Sequence, residues 1–182
     1  MIEAAKKFLA DSFQANPSYS FGDWHIMYDH SVNVSRFARQ IGEMVGCDLT
    51  VLAIGGLLHD IGKVYQADEE ILRREHARLG WIVSDKFLSG LGLSAEQLAK
   101  LKDMLSGEGD SEERQVIEDA DIIAFFVDEQ LQQALKTWAD QKGLPNELQR
   151  KIDKFNQLRF PVSQTIAETF RDQMAERWGL QV

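Results

Sequence analysis

His30-Ser-Val-Asn-Val-Ser-Arg-Phe-Ala-Arg-Gln-Ile41 sets Val34, Phe37, Ala38 and Ile41 on one apolar stripe at helical spacing. The same pattern recurs outward in both directions. Towards the N-terminus, Ile2, Ala5, Leu9 and Phe13 share one face, and Glu3 and Asp11 interrupt any hydrophobic run. That stretch reads as an amphipathic helix, not a signal peptide. Towards the C-terminus, a helix is expected from the caps Asp48 or Thr50 through Val51 to Asp60. Its Gly55-Gly56 pair costs about 1 kcal/mol per glycine relative to alanine, so close approach by a neighbouring helix is expected there. A further helix is predicted from the Asp68 region through Phe87, with a break near His76. Ser94-Ala-Glu-Gln97 reads as a capping box opening another. The next includes Val116 to Val127 and is expected to run on towards Trp138. Gly143-Leu-Pro145 is a stop, and the last helices should cover Glu147 to Phe155 and Val162 to Trp178. The three prolines, Pro17, Pro145 and Pro161, all fall between helix-like stretches. No run of alternating β-branched residues and no Asn-Gly hairpin turn is present. The expectation is an all-α chain of one compact helical domain spanning 1–182.

A chain of 182 residues is about one domain's worth and long enough to bury a core. Its 44% apolar and 27% charged residues exclude wholesale disorder and low-complexity repeats. Twenty Lys and Arg against 29 Asp and Glu give a formal net charge of −9. Such a chain is not built for stable nucleic-acid binding or for an anionic lipid surface. An anionic substrate would need positive charge supplied locally. The single cysteine, Cys47, excludes an internal disulfide and a cysteine zinc cluster; it reads as a small buried hydrophobe. No run approaches the 18 apolar residues of a membrane span, and the expected compartment is cytoplasmic.

Four histidines are available: His25, His30, His59 and His76. The run Leu52-Ala-Ile-Gly-Gly-Leu-Leu58 is almost wholly apolar, so His59 and Asp60 should be at least partly buried. A buried carboxylate needs a cation or strong donors, and imidazole beside carboxylate suits a divalent transition metal. The competing reading is a helix-end histidine bonded to a backbone carbonyl, with Asp60 exposed. His30 lies on the stripe of Val34, Phe37 and Ala38 and points to the core, as a ligand or as a satisfied core histidine. In the next helix Ile117, Ala120, Asp121, Ala124 and Phe125 share a face, which puts the Asp121 carboxylate on an apolar stripe; Glu118 and Asp119 lie off it and read as solvated. Two histidines and two aspartates could converge on one metal. His25 sits about 140° around the helix from His30, and reads as a surface or pocket-rim residue.

These residues resemble the HD-domain superfamily of metal-dependent phosphohydrolases. The matching segments are His30 in His-Ser-Val-Asn-Val-Ser-Arg-Phe-Ala38, Leu57-Leu-His-Asp-Ile-Gly-Lys63, Glu75-His-Ala-Arg-Leu-Gly80, and Asp121 in Glu-Asp-Ala-Asp-Ile-Ile. They span a core of about residues 24–128, with C-terminal helices over 146–178 beyond it. The resemblance implies a compact helical fold in which His30, His59, Asp60 and Asp121 hold one divalent transition-metal ion, among Mn, Fe, Co, Ni or Zn. It implies cleavage of a small phosphoester, a nucleotide first among the expectations, by a metal-activated water. Asp60 or Asp121 would orient that water. Lys63 has two readings, a phosphate contact that helps catalysis or a solvated lysine near a helix end. His76 would line the substrate pocket. Arg73, Arg74 and Arg78 either add positive charge there or offset Asp68, Glu69 and Glu70.

Two departures from the family pattern matter. Many two-metal members carry histidines between the His76 segment and the last aspartate, whereas this chain has Ser106-Gly-Glu-Gly-Asp-Ser-Glu-Glu113 there. One ion is therefore expected, and a second would rest on His76. Lys63 also stands where nucleotidase-like members often have a glutamate, so that acid/base cannot be carried over. The alternatives are an HD-type two-iron oxygenase, disfavoured by the missing histidines; a non-catalytic regulatory or binding HD module, disfavoured by the presence of all four ligands; and a helical interaction protein whose polar residues satisfy one another.

Overall fold

The computed structural model describes residues 1–16, 23–65 and 68–182, with Glu69 and Arg73 described by their backbone alone. Pro17 and the Arg73 and Glu69 side chains therefore lie outside the described residues. Among those residues every regular element is a helix, as the periodicity predicts. The first, α1 (Ile2–Ala15), buries Ala5, Leu9 and Phe13. The second, α2 (Trp24–Val45), buries His30 together with Val34, Phe37, Ala38 and Ile41. Helix α3 (Leu49–Leu58) starts at Asp48, whose carboxylate accepts from the N–H groups of Thr50 and Val51. Every residue from Val51 to Leu58 is buried. A helix apolar on all sides has to be surrounded, and α1, α2, α5 and α6 pack around this one.

α3 ends at Leu58 rather than at Asp60, and Ile61–Val64 forms a short 3-10 turn. That early exit releases His59 and Asp60 from the helix. Helix α4 (Glu69–Ser89) corrects the expected break near His76, since it runs straight through. Asp68 caps it, and the His76 ring bonds back to the Leu72 carbonyl one turn earlier without disturbing the ladder. Helix α5 (Ala95–Ser106) opens on the capping box of Ser94 and Gln97. The helix expected to reach Trp138 is two helices, α6 (Glu112–Val127) and α7 (Glu129–Lys142). Asp128 divides them, because its side chain accepts from the Leu131 N–H and so caps α7. Helix α8 (Glu147–Ile152) continues as a 3-10 turn over Asp153–Gln157, and α9 (Pro161–Trp178) closes the chain with proline in its first turn.

Two glycines set the spacing around the site. A Cβ on Gly56 would lie 2.6 Å from the Ser35 Cα, so α2 and α3 touch backbone to backbone as the Gly55-Gly56 pair predicts. The Ser35 hydroxyl donates to the Ala53 carbonyl at 2.8 Å across the same crossing. A Cβ on Gly62 would lie 1.9 Å from the His76 carbonyl oxygen, so the 3-10 turn rests directly on α4.

Two side chains are placed differently from their sequence reading. Asp119 is buried rather than solvated, and its carboxylate accepts the backbone N–H groups of Arg159 and Phe160 at 3.1 Å. The apolar stripe does not reveal this, because α9 covers the second face of α6. Cys47 is half-buried rather than a core residue. Glu118 is exposed and ion-paired with Arg114 and Arg159. No helix among the described residues is long and apolar enough to cross a membrane.

Candidate metal centre

Three structural elements meet at one point. His30 projects from the buried face of α2, and its Nε2 lies 2.9 Å from Asp121 Oδ1 on α6. His59 stands at the end of α3, where its Nδ1 lies 2.9 Å from the Gly56 carbonyl oxygen. A carbonyl can only accept, so Nδ1 carries the proton and Nε2 keeps its lone pair. That Nε2 is buried, with no hydrogen-bond partner among the described residues. It faces Asp60 Oδ2 at 3.5 Å and Asp121 Oδ1 at 3.6 Å. His30, His59 and Asp121 each offer a ligand atom, and the three atoms lie within 4.8 Å of one another. Ligands about 2.0–2.2 Å from a tetrahedral zinc-like ion stand roughly 3.3–3.6 Å apart. The His59–Asp121 separation already has that value, and the closer His30–Asp121 pair is drawn in by its hydrogen bond. A backbone carbonyl that fixes the ring and leaves the opposite nitrogen bare is the usual support of a ligating histidine. The residues therefore fit a divalent ion.

Asp60 is buried beside this trio and outside it. Its Oδ2 is ion-paired with the Lys63 ammonium one turn on, and its Oδ1 lies 3.5 Å from His76 Nε2. His76 repeats the arrangement of His59, with Nδ1 3.1 Å from the Leu72 carbonyl and Nε2 turned to a carboxylate. Lys63 is thus held on the proposed ligand Asp60 and not on open solvent. His25 is exposed and bonded to Asp23, with its ring stacked on Trp24. Arg74 and Arg78 pair with Glu75 on the outer face of α4, so their charge offsets a carboxylate.

The electrostatics follow from burial and neighbours. Burial opposes ionisation of Asp121, yet the hydrogen bond from His30 and the adjacent His59 outweigh it and hold the carboxyl well below the usual range. Burial likewise opposes the charge on Asp60, where Lys63, His59 and His76 prevail and lower it. Burial disfavours a charged His59, but Asp60 and Asp121 overcome this and raise it above the ordinary histidine value. Both carboxylates are held ionised, Asp60 against Lys63 and Asp121 against His30.

Sequence reasoning passed over two further residues. Asp128 is buried; one oxygen caps α7 and the other, Oδ2, has no partner among the described residues. Burial pushes its carboxyl upward, and His30 is among the groups that act on it. Lys151, on α8, sets its ammonium 4.8 Å from the centre of the Phe125 ring. Burial pushes that ammonium downward, with Asp121 opposing. Asp128 could have been found as a cap after the Phe-Phe-Val run; Lys151 carries no signal in the sequence, because only the packing of α8 on α6 seats it over Phe125.

The family model of the HD domain matches residues 27–125, which include His30, His59, Asp60, Lys63, His76 and Asp121. The chain belongs to the HD-domain family. Proteins with HD domains form a superfamily of metal-dependent phosphohydrolases and bind divalent metals. One curated relative is Ribonuclease Y of Opitutus terrae (strain DSM 11246 / JCM 15787 / PB90-1). It is 46% identical over 52 residues, 29% of this chain. The chain spans only 9% of that relative's length. No solved structure matches the chain. The HD match stops before Asp128 and Lys151, so both belong to the part of this HD protein that the family model does not describe.

Proposed function

We propose that this HD domain is a metal-dependent phosphohydrolase acting on a small phosphoester, a nucleotide being the substrate class to try first. One observation carries the reading: the buried His59 Nε2, opposite the Nδ1–H that the Gly56 carbonyl accepts, faces two ionised carboxylates and has no hydrogen-bond partner among the described residues. A neutral imidazole nitrogen kept bare at such a point costs free energy unless a cation takes it. His30, His59 and Asp121 would hold one ion, among Mn, Fe, Co, Ni or Zn, with Asp60 as the fourth ligand. A divalent ion there supplies a polarised phosphoryl oxygen and a more acidic water.

The chain's own groups divide the remaining work. Asp60, between His59 and Lys63, would orient a water. Lys63 would neutralise charge on the phosphate, sharing its ammonium between substrate and Asp60. His76 borders the same carboxylate and would line the pocket, or hold a second ion there. We read residues 1–182 as one HD-type domain, a reading supported by the contact of α9 with α6 and by the hold of Asp119 on residues 159 and 160.

The test is a hydrolysis screen over nucleotides, sugar phosphates and dinucleotide phosphodiesters with Mn, Co, Ni, Fe, Zn and Mg in turn. The diesters belong in it because the relative named above is a ribonuclease. Turnover should require metal, and His59→Ala or Asp60→Asn should abolish turnover and metal retention together. Hydrolysis that survives both substitutions and a chelator rejects this mechanism. Bound metal without turnover on any substrate favours the regulatory module, and two ions per chain revives the oxygenase.

A further inference from the structure

A cavity of about 350 Å³ opens between α1, α2 and α3. Its apolar lining is Ile2, Val32, Leu49, Ala53 and Leu57, and this favours hydrocarbon over water. Arg36, Arg39, Gln40 and Glu43, all exposed, stand along its α2 edge. Arg39 follows His30 on α2 by about half a turn of rotation, at 100° per residue. The cavity therefore lies on the face of α2 opposite the metal ligand and is separate from the metal centre. Its volume is at the lower end of the roughly 300–1,000 Å³ of small-molecule sites, which combine apolar walls with a few polar groups.

The polar groups decide the class of ligand. In the wall, the Ser35 hydroxyl already donates to the Ala53 carbonyl at 2.8 Å. Lys6, at the α1 edge, is ion-paired with Glu3 at 2.9 Å. The Arg36 and Arg39 side chains make no ion pair and no hydrogen bond among the described residues, and Arg36 lies over the Phe37 ring, 4.4 Å from its centre. Glu43, one turn after Arg39, is the carboxylate among the lining residues, and it is paired with neither arginine. Two guanidinium groups facing one carboxylate leave one positive charge in excess, at a concave place on a chain of net charge −9. A guanidinium offers its N–H donors as a planar fork that matches a carboxylate. We propose that this cavity binds a small organic monoanion, a carboxylate with a short apolar body. Its head sits on Arg36 and Arg39, and its body lies against Val32, Leu49 and Leu57. The inference is independent of the phosphohydrolase reading, because it uses no residue of the metal centre.

The experiment titrates octanoate into the metal-loaded, methyl-labelled protein and follows it by NMR. Octylammonium serves as the cation of similar size, and formate as the anion without a body. Octanoate should shift the methyl signals of Ile2, Val32 and Leu49 saturably, and the other two probes should not. Arg39→Gln should weaken octanoate binding about ten-fold or more, the loss of one charge-assisted contact. Arg39→Lys should restore part of it. Glu43→Gln should tighten binding by about two- to five-fold, since it removes a like charge at the surface; a merely structural role for Glu43 would give no such gain. A chelator should leave octanoate binding unchanged. Octylammonium binding as well as octanoate, or an octanoate affinity indifferent to both Arg39→Gln and Glu43→Gln, overturns the proposal. So does octanoate binding that disappears with the metal, which would make the ion its partner. Octanoate bound as described in a protein with no turnover keeps this site and rejects the hydrolase reading alone.

Discussion

At the scale of single residues, His59 is where proton and metal compete. Its Nε2 lies between Asp60 and Asp121, the same carboxylates that would share an ion with it. They raise its affinity for a proton above that of an ordinary histidine, which titrates at about 6.5. A proton on Nε2 must leave before the nitrogen can ligate, so metal affinity should climb with pH up to the raised value and level off beyond it. Below that value the climb should approach about ten-fold per pH unit for the one proton displaced. Competition titration with a metal indicator between pH 5.5 and 8.5 checks the slope. The two aspartates contribute nothing to it over this range, because both are held below the usual carboxylate values. A flat profile would mean that His59 is not a ligand.

At the scale of elements, the site depends on two backbone contacts that only glycine allows. Gly56 lets α3 lie on α2 at Ser35, which fixes His59 relative to His30. Gly62 lets the 3-10 turn lie on α4, which fixes Asp60 and Lys63 relative to His76. Gly56→Ala and Gly62→Ala should each destabilise the protein by about 1–3 kcal/mol or more, since a methyl would have to displace main chain in a packed interior. Gly55→Ala meets only the flexible end of Met104, at 2.7 Å, and should cost less. Thermal unfolding of the three variants should rank Gly55→Ala as the mildest. A Gly62→Ala protein as stable as wild type would contradict the contact with His76.

At the scale of the whole molecule, the helices beyond the HD match are tied back to it through Asp119. This buried carboxylate lies on α6 two residues before Asp121 and accepts the backbone N–H groups at the entry to α9. Asp119→Ala removes the acceptor of those part-buried donors, at a cost on the order of 1–2 kcal/mol. Denaturant unfolding should show that loss, and metal stoichiometry should stay that of the wild type, because Asp119 faces away from the three ligand atoms. Loss of metal along with stability would instead make α9 part of the site's support. The Asp48 carboxylate makes a similar tie between the starts of α3 and α5, through the Gln97 side chain at 2.9 Å.

The sequence by itself determined the all-α class, the stripe that buries His30, the capping box of α5 and the close contact at Gly55-Gly56. These are set by residues within a few turns of one another, where spacing reports which side of a helix is covered. It also determined membership of the HD family, because His-Asp-Ile-Gly-Lys and its partners are local motifs. Tertiary structure decided what depends on neighbours distant in the chain. The division of α6 from α7 at Asp128 turned on one side chain choosing to cap. The burial of Asp119 turned on α9 covering a second face of α6. Lys63 came to rest on Asp60 because α3 stops at Leu58 and the chain turns. The seat of Lys151 over the Phe125 ring has no periodic trace, since it arises where α8 lies against α6.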